Sequence, residues 1–145
     1  DLVHCLVSTF KYLLNDREAL SALRRVSAVL RSGGIFVMGL HLTNYHKNAP
    51  DYEKWISNSK GLKIISETWS APARRKQRRE SMRTRMTIVE SGKTRVEETR
   101  WDFRTYSAVE LKALLSKVKS LELMGCHDFR YQIKKRYKNR LQAPI

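Results

Sequence analysis

The feature that most limits the fold is a strand–helix–strand pattern over the first forty residues. Apolar residues run almost without interruption from Asp1 to Val7 and again over residues 35–40, which is typical of strands covered on both faces. Between these runs, Asn15 is a good helix N-cap, and Glu18 stands at the capping-box position. The pair Gly33–Gly34 ends the helix. The pattern therefore predicts a right-handed βαβ unit, a parallel sheet and an α/β fold.

The next segment predicts a change to irregular structure. Residues 41–60 are polar and irregular, and a short helix is predicted over residues 51–59. Residues 62–69 predict a strand that Pro72 ends.

The last third of the chain predicts an antiparallel region. Residues 86–90 and 94–100 flank a turn that contains Gly92, which indicates a hairpin. Ser107 is placed to cap a helix that reaches Lys119, and residues 121–129 predict a final strand.

The chain is strongly basic, with a net charge of +15 over 145 residues. Five of the six residues 74–79 are Lys or Arg, and so are five of the seven residues 134–140. Two interpretations stay open: a solvated loop with a frayed end, or contact with phosphates. Because no aromatic residue interrupts the first cluster, base stacking is not indicated. We expect at most weak, sequence-independent binding to a polyanion.

Cysteine and histidine usage predicts a reduced chain without a metal. Cys5 and Cys126 lie in apolar surroundings and are predicted to be free thiols. His41 and His46 are too loosely spaced to indicate a metal site. No apolar run approaches the ~20 residues that span a bilayer, and no signal peptide is visible. A cytoplasmic location is the default expectation.

The segment "DLVHCLVSTFKYLLNDREALSALRRVSAVLRSGGIFVMGLHLTNY" resembles the central part of class I S-adenosylmethionine-dependent methyltransferases. In that family an Asp opens the fourth strand, a loop of the "sxfxYL" type follows, and a helix ends in "LxPGG", where this chain has Ser32 in place of Pro. The later stretches "RTYSAVELKALL" and "LELMGCHDF" resemble the helix and closing hairpin of the family. The family's Gly-rich cofactor loop and its ribose-binding acid have no counterpart here.

The resemblance implies a partial Rossmann-like methyltransferase sheet, with a parallel βαβ unit followed by an antiparallel hairpin region. Residues 1–129 would form the C-terminal half of a methyltransferase-like domain, and residues 130–145 a basic tail. We expect such an incomplete domain to be inactive alone.

The resemblance also implies S-adenosylmethionine as the cofactor and a small molecule as the acceptor. Ligands of open α/β sheets bind beyond the carboxyl ends of the strands. The residues predicted to bind the cofactor are Cys5, Leu6, Ser8, Phe10 and Tyr12. The residues predicted to contact the acceptor are Thr43, Tyr45, Trp69 and Arg104. His41 is the predicted general base, since histidine ordinarily titrates near neutral pH.

Simpler roles stay open for several of these residues. Phe10 and Tyr12 can pack under the loop, His41 can be a hydrogen-bonded surface residue, and Trp69 and Arg104 can be structural. Two other hypotheses also stand beside the enzyme. One is a non-catalytic basic module that binds nucleic acid or another polyanion, and the other is a remnant that associates with itself through a bare edge strand at residues 2–7.

Overall fold

The structure is a computed structural model that describes residues 1–127. The described part contains two α-helices, six strands and one 3-10 helix. In chain order these are β1 (Leu2–Cys5), the 3-10 helix (Thr9–Tyr12), α1 (Asp16–Val29), β2 (Ile35–Met38), β3 (Asp51–Ser59), β4 (Leu62–Ser70), β5 (Arg79–Glu90), β6 (Lys93–Arg104) and α2 (Ala108–Leu115).

The first forty residues form the predicted βαβ unit. β1 and β2 pair in parallel, from Leu2 opposite Ile35 to Cys5 opposite Met38, and α1 connects them. The side chain of Asn15 accepts a hydrogen bond from the Glu18 amide at 2.9 Å. The prediction of a parallel βαβ unit with an Asn-capped helix is therefore confirmed.

The second part of the chain is a four-stranded antiparallel sheet in the order β3-β4-β5-β6. Two-residue turns join β3 to β4 and β5 to β6. Gly61 has φ 76°, and Ser91 and Gly92 have φ 48° and 77°, the left-handed backbone that tight hairpin turns require. The hairpin predicted around Gly92 is confirmed and is longer than predicted, since its strands take up residues 79–90 and 93–104.

The helix predicted over residues 51–59 is wrong, because this segment is strand β3. All nine residues of β3 pair with β4, from Asp51 opposite Ser70 to Ser59 opposite Leu62. The turn at Gly61 folds this segment back on its neighbour, and aromatic and β-branched side chains suit a strand. Long-range pairing therefore outweighs the weak local preference for a helix.

The last predicted elements differ from those observed. Helix α2 has the predicted capping box between Ser107 and Glu110, but it ends at Leu115 rather than Lys119. Hydrogen bonds from Lys117 and Val118 to the third preceding carbonyl tighten the chain beyond that point. Residues 121–127 form no strand, apart from a single bridge position at Cys126, because no described strand pairs with them. Residues 128–129 of that predicted strand and the basic tail lie outside the described residues.

The core lies between the βαβ unit and α2. Its buried side chains come from the 3-10 helix, α1, the segment between β6 and α2, α2 itself and the turn after it, and they are Phe10, Ala19, Leu23, Tyr106, Leu111, Leu114 and Val118. Most of the four-stranded sheet extends beyond this core, and every residue of β3 is exposed. The βαβ unit is thus held by α2 and by the near end of the sheet, and these elements position the predicted site.

Candidate functional site

The carboxyl ends of β1 and β2 lie side by side and form one edge. The Gly39 amide donates to the Cys5 carbonyl at 2.9 Å, and the Ser8 amide donates to the Gly39 carbonyl at 2.8 Å. The His41 amide donates to the Ser8 hydroxyl oxygen at 3.3 Å. The residues that follow the two strands are therefore bound to each other, and Cys5, Ser8 and His41 lie together as the sequence predicted.

A sharp turn follows β1. Val7 and Ser8 have φ 53° and 59°, a left-handed conformation that is costly for residues other than glycine, above all for a β-branched one. The Leu6 carbonyl accepts from the Thr9 amide at 3.1 Å and from the Thr9 hydroxyl at 2.7 Å. A side chain at Gly39 would meet Leu6 Cδ2 at 3.4 Å. That distance is an ordinary van der Waals contact, so the turn is held close to the end of β2 by the backbone hydrogen bonds of Gly39 with Cys5 and Ser8.

The predicted cofactor residues divide into two groups. Leu6 is exposed at this turn, Cys5 is half-buried, and the Ser8 side chain is buried against the end of β2. Burial raises the pKa of the Cys5 thiol, although a backbone hydrogen bond at Phe10 acts in the opposite direction. Of these three residues, Leu6 alone has an exposed side chain at this edge.

Phe10 and Tyr12 point elsewhere. The Phe10 ring is buried in the core, 5.9 Å from the Tyr106 ring. The Tyr12 ring is exposed and meets the Phe103 ring edge-on at 4.8 Å. Phe10 therefore has the packing role that the sequence left open, whereas Tyr12 lies at the surface against Phe103.

Two predicted acceptor residues fix the loop after β2. The Thr43 amide donates to the Tyr106 carbonyl at 2.8 Å. The Tyr45 hydroxyl lies 2.7 Å from the Thr105 hydroxyl and donates to Glu110 at 3.4 Å. Burial raises the pKa of Tyr45, and the negative charge of Glu110 raises it further. His41, which precedes this loop, is exposed, and its amide is held at the edge by the Ser8 hydroxyl.

Arg104, which was also predicted to contact the acceptor, makes its contacts inside the protein. Its side chain is buried, and its two terminal nitrogens donate to the Leu14 carbonyl at 2.8 Å and to Asp16 at 2.7 Å. These bonds hold the start of α1 on the end of β6. The geometry gives Arg104 the structural role that the sequence left open.

Arg78 and Tyr106 complete this cluster, and the sequence did not indicate them. The Arg78 guanidinium lies 3.5 Å from Asp16 and 3.1 Å from Glu110, so it links the starts of both helices. The guanidinium groups of Arg78 and Arg104 lie 5.2 and 5.7 Å from the centre of the Tyr106 ring. Within the basic run 74–79, the intermediate burial of Arg78 is visible only in three dimensions.

Lys11 is a second residue that the sequence did not single out. Its side chain is almost fully buried, and its amine lies 3.1 Å from Glu80 on β5. The same amine lies 4.9 Å from the centre of the Phe103 ring on β6. The position of Lys11 in the apolar stretch "FKYLL" is the one local sign of this role, since a lysine there needs a buried partner. The 3-10 helix is thereby bound to the four-stranded sheet.

Buried Tyr106 should make the protein less stable in alkali. Burial raises the pKa of this phenol, although Arg104 and Arg78 act in the opposite direction. The folded chain thus keeps the proton at a pH where the unfolded chain has lost it. Its stability should fall as pH rises from about 10 towards the folded pKa, by up to about 1.4 kcal/mol per pH unit. Urea unfolding of Tyr106→Phe should show a shallower decline. Tyr12→Phe is the matched control, and an unchanged slope in Tyr106→Phe would contradict the assignment.

Trp69, the fourth predicted acceptor residue, lies in a separate open groove of about 520 Å³ on the four-stranded sheet. The Arg83 guanidinium lies over the Trp69 ring at 4.2 Å, and the Ser81 hydroxyl donates to Asp102 at 2.7 Å. Arg100 also lines the groove. Of the predicted site residues, only Trp69 lines it. The alternation of charged residues along β5 and β6 is the sign of this groove that the sequence contains.

Residues 1–127 contain neither a membrane-spanning helix nor a cluster of metal-binding side chains. No helix there is both long and apolar enough to cross a membrane. No group of three or more His, Cys, Asp or Glu side chains gathers there in a way that would hold a metal ion. Both cysteines in this range are free thiols, as predicted.

Solved structures show what kind of fold this is. The sugar N-methyltransferase KedS8 from Streptoalloteichus sp ATCC 53650 matches with a TM-score of 0.70 and 15% identity, over 81% of this chain and 46% of that one. CalS10, an amino pentose methyltransferase from Micromonospora echinaspora, matches with a TM-score of 0.68 and 16% identity, over 81% and 48%. DesVI from Streptomyces venezuelae matches with a TM-score of 0.69 and 16% identity, over 81% and 49%. No family model and no curated protein matches the chain.

These likenesses define the fold. The chain has the fold of part of an S-adenosylmethionine-dependent methyltransferase, as the resemblance implied. It spans about half the length of the solved structures that it matches.

Proposed function

We propose that the chain is the C-terminal half of a Rossmann-like methyltransferase domain that methylates a small molecule. Residues 1–129 belong to the domain in this proposal, and residues 130–145 are a basic tail. The observation that carries the proposal is the shared edge where the Ser8 turn is bound to Gly39 and His41. Ligands of α/β sheets bind at such strand ends. The fold likeness to sugar methyltransferases supports the same function.

The cofactor in this proposal is S-adenosylmethionine, and the edge fits one end of it. Leu6 offers exposed apolar surface, and hydrogen bonds with the Gly39 backbone hold the Ser8 turn against the strand end. These residues would hold the methionine end, while this chain has no Gly-rich loop for the rest. When bound, S-adenosylmethionine supplies an electrophilic methyl carbon on a sulfonium.

Residues after β2 would act on the acceptor. Methyl transfer needs an aligned nucleophile that gives up its proton, so the protein contributes orientation and a base. His41 is exposed beside Ser8 and is the proposed base. Because two of the matching structures act on sugars, one of them as an N-methyltransferase, an amino sugar is the first acceptor class to test.

The exposed surface of the βαβ unit also supports an incomplete domain. Four apolar side chains on β1, α1 and β2 are exposed, and they are Leu2, Val29, Ile35 and Val37. An apolar surface of this kind normally packs against another layer. The remaining strands and helices of a methyltransferase sheet would cover it. Inactivity of these 145 residues alone, association through β1 and a cytoplasmic location stay predictions.

Binding of S-adenosylhomocysteine tests the proposal. The intact protein is here one that contains this chain together with the rest of the domain. Calorimetric titration of S-adenosylhomocysteine into the intact protein should give saturable heat. Leu6→Asp should weaken binding at least about tenfold, because it places a charge on apolar contact surface. Val109→Asp, the same kind of change at a residue that is 77% exposed on α2, is the control and should bind normally.

Two results would count against the enzyme. No heat with the intact protein would reject it, and normal binding by Leu6→Asp would reject the placement of the cofactor.

The second candidate function, a polyanion-binding module, rests on one face of the four-stranded sheet. This face carries three acids, Glu67, Glu98 and Asp102, and a larger number of basic residues, among them Lys54, Lys63, Arg83, Arg85 and Arg100. Salt-sensitive binding to random single-stranded DNA without S-adenosylhomocysteine binding would favour that module.

A further inference from the structure

Strand β3 is an exposed edge of the four-stranded sheet. It pairs with β4 on one side, and no strand within residues 1–127 pairs with its other side. Three large apolar side chains of β3 are exposed to solvent: Tyr52, Trp55 and Ile56 are 49%, 64% and 54% exposed. A long edge with unpaired backbone groups and exposed apolar side chains invites another strand.

The other edge of the same sheet is better protected. In β6, seven of the twelve residues are charged, whereas β3 has three charged residues among nine. Charged side chains are the usual means of preventing edge pairing. β1 offers only four residues, and the proposed function assigns its surface to the rest of the domain. The edge of β3 is therefore the strongest interaction surface in the described part of the chain.

We propose that β3 pairs antiparallel with β3 of a second copy, with Trp55 at the two-fold axis. The axis of two antiparallel edge strands is perpendicular to the sheet. Opposite residues point to the same face, and successive residues alternate between faces. The permitted registers are therefore those in which one residue lies opposite its own copy.

The length and charge of β3 select one of these registers. Trp55 is the middle of the nine residues, so this register pairs all of Asp51–Ser59. It places Lys54 opposite Ile56 and Glu53 opposite Ser57 of the second copy, with no like charges opposed. Registers centred on Glu53 or Lys54 would oppose like charges, which destabilises a sheet. A register centred on Ile56 would leave Asp51 and Tyr52 unpaired.

Neighbouring residues suit this arrangement. Ser66 lies opposite Trp55 on β4, and this small residue leaves room for two indole rings side by side. Glu67 lies opposite Lys54 on β4 and offsets its charge. The two four-stranded sheets become one continuous sheet of eight strands. The choice of β3 over β1 rests in part on the proposed function, whereas the register rests only on the length, charge and pairing of β3.

Cross-linking of the full chain tests the register. In a Cys5→Ser and Cys126→Ser background, Trp55→Cys should form a disulfide-linked dimer under mild oxidation, because opposite Cβ atoms lie about 5 Å apart. Glu53→Cys, on the same face, is the matched control. In the proposed register the two thiols of a Glu53→Cys dimer are four positions apart, roughly 13 Å, and should not cross-link. A mixture of Glu53→Cys and Ser57→Cys chains should cross-link.

Light scattering gives an independent readout in the unmodified chain. The chain should be a dimer, and Trp55→Lys should convert it to a monomer, whereas Val109→Lys should remain a dimer. A monomeric unmodified chain would overturn the proposal. So would cross-linking of Glu53→Cys at the rate of Trp55→Cys, or a Trp55→Lys variant that stays dimeric. If the chain is a monomer but the intact protein still binds S-adenosylhomocysteine, the dimer proposal fails and the enzyme proposal stands.

Discussion

Replacing Arg104 with Met is expected to lower the free energy of unfolding by about 2–3 kcal/mol. The side chain is only 7% exposed, and its guanidinium donates to the Leu14 carbonyl and to Asp16. Met keeps most of the apolar stem but removes both donors. The loss should stay below that of a fully buried ion pair, because Asp16 is half exposed and retains Arg78 at 3.5 Å. Urea unfolding measures the change.

The matched control for this change is Arg100→Met on the same strand and the same face. The Arg100 side chain is 72% exposed and pairs with Glu98 at the surface. Exposed ion pairs contribute little, so the control should alter stability by less than about 0.5 kcal/mol. Equal losses in the two variants would show that Arg104 does not hold the helix start. In that case its predicted role at the acceptor would become the better interpretation.

Replacing His41 with Gln is expected to lower kcat for methyl transfer by about 10²- to 10⁴-fold in the intact protein. The proposed base takes the proton that the acceptor loses, and Gln cannot do this. KM should change little, since the backbone amide that bonds to Ser8 is kept. The defect should shrink as pH rises, because hydroxide then deprotonates the acceptor, and added imidazole should restore part of the rate.

His46→Gln is the control for this experiment, because His46 is exposed in the same loop. It should keep the normal rate and pH profile. A His41→Gln variant with an unchanged kcat would remove the base from the mechanism. A variant whose loss is insensitive to both pH and imidazole would assign His41 a structural role instead.

Local patterns predicted the βαβ unit well, because the residues that begin and end its helix and strands lie close together in the chain. The cap at Asn15 and the Gly33–Gly34 turn act within a few residues, and the two apolar runs need no partner to be visible. The edge formed by Ser8 and His41 followed from the same pattern, because parallel strands bring their carboxyl ends together.

The rest depended on contacts between distant residues. β3 has three charged residues and becomes a strand because β4 pairs with its full length. Arg104 binds Leu14 and Asp16, which lie 90 and 88 positions away, and no local pattern indicates such a contact. The groove at Trp69 is built from three strands, so its members are scattered in sequence. Such features arise from register, and a single sequence fixes register only weakly.

The buried contact of Lys11 with Glu80 has a mechanical consequence. Lys11 directly follows Phe10 in the 3-10 helix after the Ser8 turn, while Glu80 is the second residue of β5 in the other sheet. A small rotation of the four-stranded sheet would pull on this ion pair and tilt the 3-10 helix, since a buried pair resists separation. The contacts of Lys11 with Glu80 and with the Phe103 ring therefore couple the position of the four-stranded sheet to the turn after β1.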